Sequence, residues 1–215
     1  MKTLSKAIAV ASLVSASALT AQVANAEMSY SADLATTYLW RGTDLGGAAI
    51  SAAADYSHAS GAYAGIWASS GDLELGNEYD LYVGFAKEFG DFSVDVQAVT
   101  YVYNNATDSD TGADIAGSPG EVSDAIISLG FQDASFSYYQ SLQDEETTYM
   151  TLGYSIAGVD LTYGMSDSDG AEYSHFDVSY GLTDALAITV SKPIDDNAGV
   201  DEDTIVVMSY SLPIE

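Results

Sequence analysis

The segment "DFSVDVQAVTYVY" (91–103) decides the fold. Phe92, Val94, Val96, Ala98 and Val102 share one parity, while Ser93, Asp95, Gln97, Tyr101 and Tyr103 share the other. A period of two belongs to a strand with one apolar and one polar face, since a helix repeats at about 3.6 residues. "NEYDLYVGFAKEF" (77–89) opposes Tyr79, Leu81, Val83, Phe85 and Phe89 to Glu78, Asp80, Tyr82, Gly84 and Glu88. "EYSHFDVSYGL" (172–182) opposes Phe176, Val178, Tyr180 and Leu182 to His175, Asp177, Ser179 and Gly181.

The same pattern recurs along the chain. It predicts twelve strands, near 28–41, 47–57, 61–70, 77–89, 92–103, 121–131, 134–142, 146–156, 159–166, 172–182, 185–192 and 202–212. No linker divides them, so residues 27–215 read as one domain. The connections alternate in character. Those after the second, fourth, sixth, eighth and tenth strands are tight, with "HAS", "GD", "QD", "AG" and "TD" at their centres. Most of the others are longer and acidic: "GTDLGG", "SGDLELG", 104–120, "SDSDG" and 193–201. The one after the seventh strand, "QDEE", is short and acidic.

The first 26 residues stand apart. Lys2 and Lys6 precede an apolar run from Ala7 to Val14, and Ala24-Asn25-Ala26 forms an A-x-A site. This is the pattern of a cleavable signal peptide, which places the mature start at Glu27. Removing the leader takes away two lysines and no acids, so the net charge moves from −27 to −29. Arg41, Lys87 and Lys192 are then the only cations. So acidic a chain offers no footprint for nucleic acid. With no cysteine there is no disulfide and no thiolate metal site. No later stretch has 18 consecutive apolar residues, the length of a spanning helix.

Alternation does not say which face meets which medium. A soluble sandwich hides its apolar face, whereas a membrane barrel turns that face to lipid. Three features favour the barrel. Aromatic residues of apolar parity sit near strand ends, where interfacial girdles belong: Tyr30, Tyr38, Trp40, Tyr56, Tyr79, Phe89, Phe92, Phe131, Phe136, Tyr163 and Tyr210. The turns are short at one end and long at the other, as in outer-membrane barrels. Lys87 and Lys192 share the apolar parity but lie near the tight turns, where a long stem can reach water. The expected fold is therefore an all-β, transmembrane, antiparallel up-and-down barrel of about twelve strands, exported through the periplasm to the outer membrane.

Two stretches carry a resemblance. "TTYLWRG" (36–42), followed by "DYSHASGAYAGIWAS" (55–69), resembles the N-terminal signature of the TorF family of porins. "EYDLYVGFAKEFGDFSVDV" (78–96) resembles that family's next hairpin, with its G-D-F turn. The resemblance covers the N-terminal half by motif and the remainder by strand pattern. It implies an outer-membrane barrel of porin type. One departure is that the chain closes on Pro213-Ile214-Glu215 rather than on the aromatic residue usual in outer-membrane proteins.

Inward parity assigns small and polar residues to the lumen: Ser29, Ser31, Ser51, Ser93, Ser128, Ser137, Thr151, Thr162, Ser179 and Gly181. It also assigns seven carboxylates: Asp33, Asp55, Asp80, Asp95, Asp124, Asp160 and Asp177. With Gln97, His175 and Arg41 these are the candidate pore-lining residues. Acids in a narrow tube concentrate cations and repel anions, so the expected activity is passive diffusion of small hydrophilic solutes with a preference for cations. Hydrated lumen acids without a selective role are the plainer reading. Trp40 is placed on the lipid side of the first strand, and Arg41 at its outer end, facing inward among carboxylates with Asp44 near in sequence.

Catalysis is not expected. His175 and Asp177 share a face, but no G-x-S-x-G singles out a nucleophile, and a His beside an Asp is more simply a hydrogen-bonded pair. His58 falls in a tight turn. The acidic runs "DSDTGAD" (108–114), "SDSDG" (166–170) and "DDNAGVDED" (195–203) look like calcium loops but lack the D-x-D-x-D-G spacing, so a solvated acidic rim is the simpler reading. Divalent ions could bridge such a rim to lipopolysaccharide phosphates. No cofactor is implied, and the oligomeric state is left open. A plugged, non-conducting barrel, structural or adhesive, is the alternative; a hydrolase is a weaker one.

Overall fold

The computed structural model describes residues 26–72, 75–104, 117–195 and 197–214. The leader lies outside them but for Ala26, and the acidic run 108–114 lies outside them entirely. In chain order the strands are β1 (Glu27–Ala35), β2 (Tyr38–Trp40), β3 (Thr43–Gly46), β4 (Ala49–Ser57), β5 (Ala62–Asp72), β6 (Gly76–Phe89) and β7 (Phe92–Tyr103). Then follow β8 (Val122–Phe131), β9 (Ala134–Ser141), β10 (Thr147–Ile156), β11 (Val159–Ser168), β12 (Ala171–Gly181), β13 (Leu186–Asp195) and β14 (Ile205–Ser211).

β1 and β4 to β14 form one closed, antiparallel barrel of twelve strands, each paired with its sequence neighbour. Closure comes from β1, which pairs with β4 on one side and β14 on the other. The β1–β14 seam is short, from Asp33↔Ser211 to Ala35↔Ser209, and is extended by Thr36 N–H to the Met208 carbonyl (3.0 Å) and Leu212 N–H to the Ala32 carbonyl (2.8 Å). Closure satisfies the backbone between neighbouring strands, which a membrane demands, while Glu27–Ser31 of β1 has register partners on the β4 side alone among the described residues.

The apolar parity faces out. Tyr30, Val83, Phe85, Phe89, Phe92, Leu152 and Val206 are all exposed on the protein surface. Phe92 and Phe131, register partners, pack ring to ring at 4.5 Å at the tight-turn end. A soluble sheet could not leave so continuous an apolar surface in water. The barrel is thus apolar outside and largely polar inside, as a bilayer requires.

Three expectations are corrected. The first strand does not run to residue 41: it ends at Ala35, and β2–β3 is a separate hairpin inserted between barrel strands. Tyr38 and Trp40 therefore leave the lipid-facing set, and Tyr38 is buried. The connection "SDSDG" is not a long loop, because β11 and β12 continue pairing to Ser168↔Ala171 around the two-residue turn Asp169-Gly170. Lys192 lies toward the longer-connection end, since β13 continues to Asp195, and its Nζ donates to the Glu202 carbonyl. Lys87 keeps its expected place near the tight-turn end, over the Phe89 ring.

Candidate functional site

The β2–β3 hairpin occupies the interior of the barrel. Its turn is Arg41-Gly42, with φ of +48° and +81°, between the paired residues Trp40 and Thr43. Positive φ at both central positions is what a tight two-residue hairpin turn of the I′ type needs. At the base, Thr37 Oγ1 donates to the Gly46 carbonyl at 2.8 Å and also reaches Asp44.

Each flank of the hairpin meets a different wall. The Tyr38 hydroxyl donates to Glu78 on β6, and its ring lies 6.4 Å from Trp67 on β5. Arg41 donates from Nη2 to Asp124 on β8 at 2.6 Å. Its guanidinium also lies over three rings: Trp40 at 4.3 Å, Tyr149 of β10 at 4.6 Å and Tyr139 of β9 at 5.0 Å. Gly42 presses so closely on His175 of β12 that an added Cβ would collide with the imidazole. Glu78, Asp124 and Tyr149 are the third residues of their strands, counted from the longer-connection end. The hairpin therefore crosses the lumen near that end.

The apolar run Tyr38-Leu39-Trp40 explains the inward fold. Tyr38 and Leu39 are 5% and 4% exposed, and outside they would stand in water. The arginine is compatible with burial because it is paired and stacked. Burial alone would loosen its proton, but the charge of Asp124 and the hydrogen bond to it outweigh that and hold the guanidinium protonated. Burial and then the Glu78 carboxylate push the Tyr38 phenol far above its usual range, so it remains a donor.

Of the ten candidate residues, the nine on barrel strands have inner-face register. Asp33 accepts from Ser211 Oγ at 2.7 Å, Asp95 from Tyr63 at 2.7 Å, Asp55 from Tyr82 and Asp160 from Ser155. Gln97 Nε2 donates to the Tyr63 hydroxyl at 3.1 Å. Asp177 lies 2.9 Å from His175 Nδ1, whose Nε2 is 2.8 Å from the Tyr149 hydroxyl. Asp124 also accepts from Tyr101 at 3.1 Å. Among the described residues neither Asp80 oxygen meets an N–H or hydroxyl donor, and its carboxyl stands against that of Glu78. Arg41 is displaced from its expected place: it sits at the hairpin turn, and its partner is Asp124, not Asp44, which instead accepts from Thr37 and Gly46 N–H.

Glycines permit these reaches. Tyr82 lies across Gly65 and Tyr63 across Gly84, in a reciprocal pair between β5 and β6, and each Cβ would strike the opposite ring. His175 crosses Gly164 of β11 to reach Tyr149 in the same way. Inward-facing bulk that strand parity did not single out includes Val99, Ile126 and Val207, which are 2%, 6% and 1% exposed. Val99, Tyr101, Tyr103 and Ile126 form an apolar cluster inside the barrel. Glu78 and the tyrosines at 38, 139 and 149 were also missed as site residues. The legible signal was x-Gly between short alternating flanks at 38–46, a hairpin pattern in its own right.

The exposed acidic turns bind their own backbone. Asp167 accepts from Gly170 N–H at 3.1 Å, and Asp195 from Gly199 N–H at 2.9 Å. His58 is exposed in its turn and bonds Ser60 at 2.8 Å. Among the described residues no three His, Asp or Glu side chains converge as metal ligands.

By fold and site this is an up-and-down β-barrel with an inward-folded hairpin. The chain belongs to a family of bacterial proteins of unknown function, Gcw_chp, whose model matches residues 20–202. Among solved structures it is similar to a KdgM porin in complex with disordered oligogalacturonate, at 10% identity and a TM-score of 0.49, covering 88% of this chain and 99% of that one. It also matches the outer membrane protease OmpT from Escherichia coli, at 12% identity and a TM-score of 0.23, covering 87% and 92%. No curated protein matches the sequence. Neither structural likeness bears on what this chain does.

Proposed function

We propose that the protein is an outer-membrane, porin-like channel for passive diffusion of small hydrophilic solutes, with cations preferred and the β2–β3 hairpin as its constriction. On this reading residues 1–26 are a cleaved leader and the barrel shares the porin-type role that its TorF-like motifs imply. The supporting observation is the inner face: polar walls carrying many carboxylates around a hairpin held by side-chain contacts. Among the described residues Arg41 is the single Lys or Arg of the interior, and Asp124 already neutralises it. A lumen of net negative charge favours cations. The expected mechanism is filtration without chemistry, so no enzymatic role is assigned to His175 and Asp177.

Ala35 and Ala49 are register partners across β1 and β4. Residues 36–48 can therefore be replaced by a two-residue turn without opening the barrel. Planar-bilayer recording should give small, cation-selective conductance for the intact protein and a several-fold larger one for the shortened protein. A reversal potential of zero or of anionic sign in asymmetric KCl removes the cation preference. Silence from both proteins, with each still resisting heat and detergent on a gel, removes the channel. The second reading is then the correct one: a closed structural or adhesive barrel, which the cross-lumen contacts of the hairpin favour.

A further inference from the structure

Asp80 is 0% exposed, and among the described residues neither of its carboxylate oxygens receives a hydrogen bond from an N–H or hydroxyl donor; its one polar contact is the carboxyl of Glu78. It sits on the inner face of β6 between Trp67 of β5 and Tyr101 of β7. Trp67 carries no charge, and the Tyr101 hydroxyl is given to Asp124 at 3.1 Å. The charged neighbour of Asp80 is Glu78, two residues earlier on the same face and 1% exposed. Glu78 accepts the Tyr38 hydroxyl and, at 2.8 Å, the Tyr103 hydroxyl. Asp72, 8% exposed, adds negative potential nearby.

Among the described residues no basic side chain compensates the pair. Arg41 is committed to Asp124, Lys87 lies over Phe89, and Lys192 donates to a backbone carbonyl. Two buried carboxylates side by side without a counter-charge are among the costliest arrangements a protein interior can hold. A single shared proton would serve one oxygen of Asp80 and leave the other bare. A chelated cation serves both.

We propose that Asp80 and Glu78 together hold one hard divalent cation, of calcium type, behind the β2–β3 hairpin. The donor set is oxygen only, which suits a hard ion. A charge of two neutralises the pair. Calcium accepts bidentate carboxylates and irregular shells, whereas magnesium demands near-octahedral geometry and keeps its waters. No third carboxylate or histidine joins the pair as a ligand among the described residues, so hydroxyl, carbonyl or water oxygens complete the shell. Tyr38 bonds Glu78, so the ion also fixes the docking of the hairpin. None of this depends on whether the barrel conducts.

The test uses the refolded barrel, stripped with chelator and titrated with terbium as a luminescent stand-in for calcium. Trp67 stands beside Asp80 and should sensitise the emission. The expected result is one terbium per barrel, displaced by calcium, with affinity falling at least 100-fold in Asp80→Asn and Glu78→Gln. Trp67→Phe should lose most of the sensitised emission while calcium uptake, read by calorimetry, is retained. That variant keeps both carboxylates and so decides the matter even where Asp80→Asn does not fold. Asn replacements of Asp167 and Asp169 should change nothing. Equal terbium binding in wild type and Asp80→Asn overturns the proposal. So does an infrared band of a protonated carboxyl, lost in Asp80→Asn, with no ion uptake: the pair then holds a proton.

Discussion

Two turns of this barrel have almost the same backbone and opposite fates. Arg41-Gly42 turns at φ of +48° and +81°, and Asp169-Gly170 at +52° and +76°. Both connect antiparallel segments through two residues. The first is buried in the lumen; the second stands exposed at the end of the unbroken pairing of β11 and β12. The turn chemistry makes the chain reverse, and the flanks decide where the reversal goes. Tyr38, Leu39 and Trp40 flank the first, and Ser166, Asp167 and Ser168 precede the second. Apolar rings gain by leaving water, whereas carboxylates lose.

The largest effect should come from breaking what holds the inward turn. Arg41→Ala leaves Asp124 buried without its cation, which typically costs about 3–5 kcal/mol. Amide exchange across residues 38–46 should rise accordingly, while the β11–β12 turn keeps its rates. If the protein conducts, its reversal potential should shift further toward that of a cation. Unchanged exchange at 38–46 would show that the aromatic flanks suffice.

A smaller contrast comes from placing one methyl at each turn. Gly42→Ala incurs both a positive-φ penalty of about 1 kcal/mol and a collision with His175, roughly 2–4 kcal/mol together. Gly170→Ala meets nothing within 4 Å, so only the backbone term of about 1 kcal/mol applies. Chemical denaturation and local amide exchange of the two variants should separate these costs. Equal values would mean that His175 yields freely.

The smallest effect concerns another exposed turn. Asp144 accepts from Thr147 Oγ1 at 2.6 Å and from Glu146 N–H at 3.0 Å, and these bonds hold its carboxyl below its ordinary value. A depressed value means that the stabilisation is complete above the unfolded-state value, about 3.9, and disappears as pH falls through the folded one. The protection factors of the Glu146 and Thr147 amides, taken relative to the intrinsic exchange rate at each pH, should therefore fall as the solution is acidified below the ordinary carboxyl range. Asp144→Asn should show no such dependence.

Much of this was legible in advance because strand parity is a local property. The register puts Asp95 and Gln97 on the inner face and Val94 and Val96 opposite, as their order in β7 implies. Parity failed at 38–41, where the alternation continued through a segment that had already left the wall. Tyr38 has the apolar parity of a lipid-facing residue, yet it donates a hydrogen bond to Glu78, which lies 40 residues away. Lys192 was misplaced for a related reason: strand ends are set by pairing partners, and β13 runs three residues further than its own pattern suggested.

By itself the sequence determined the number of barrel strands and the two faces of the wall, since a period of two leaves no other arrangement for such alternation, and the aromatic residues at strand ends and the unequal turns set the apolar face outward. Tertiary structure alone decided what fills the tube. Arg41 meets Asp124 across 83 residues, His175 meets Tyr149 across 26, and Gly164 must lack a side chain for that second contact to form. Such contacts come from closure and stagger of the barrel, which bring distant inner faces together. No local pattern carries that information, and so the arginine that looked like the end of a strand is the tip of a hairpin inside.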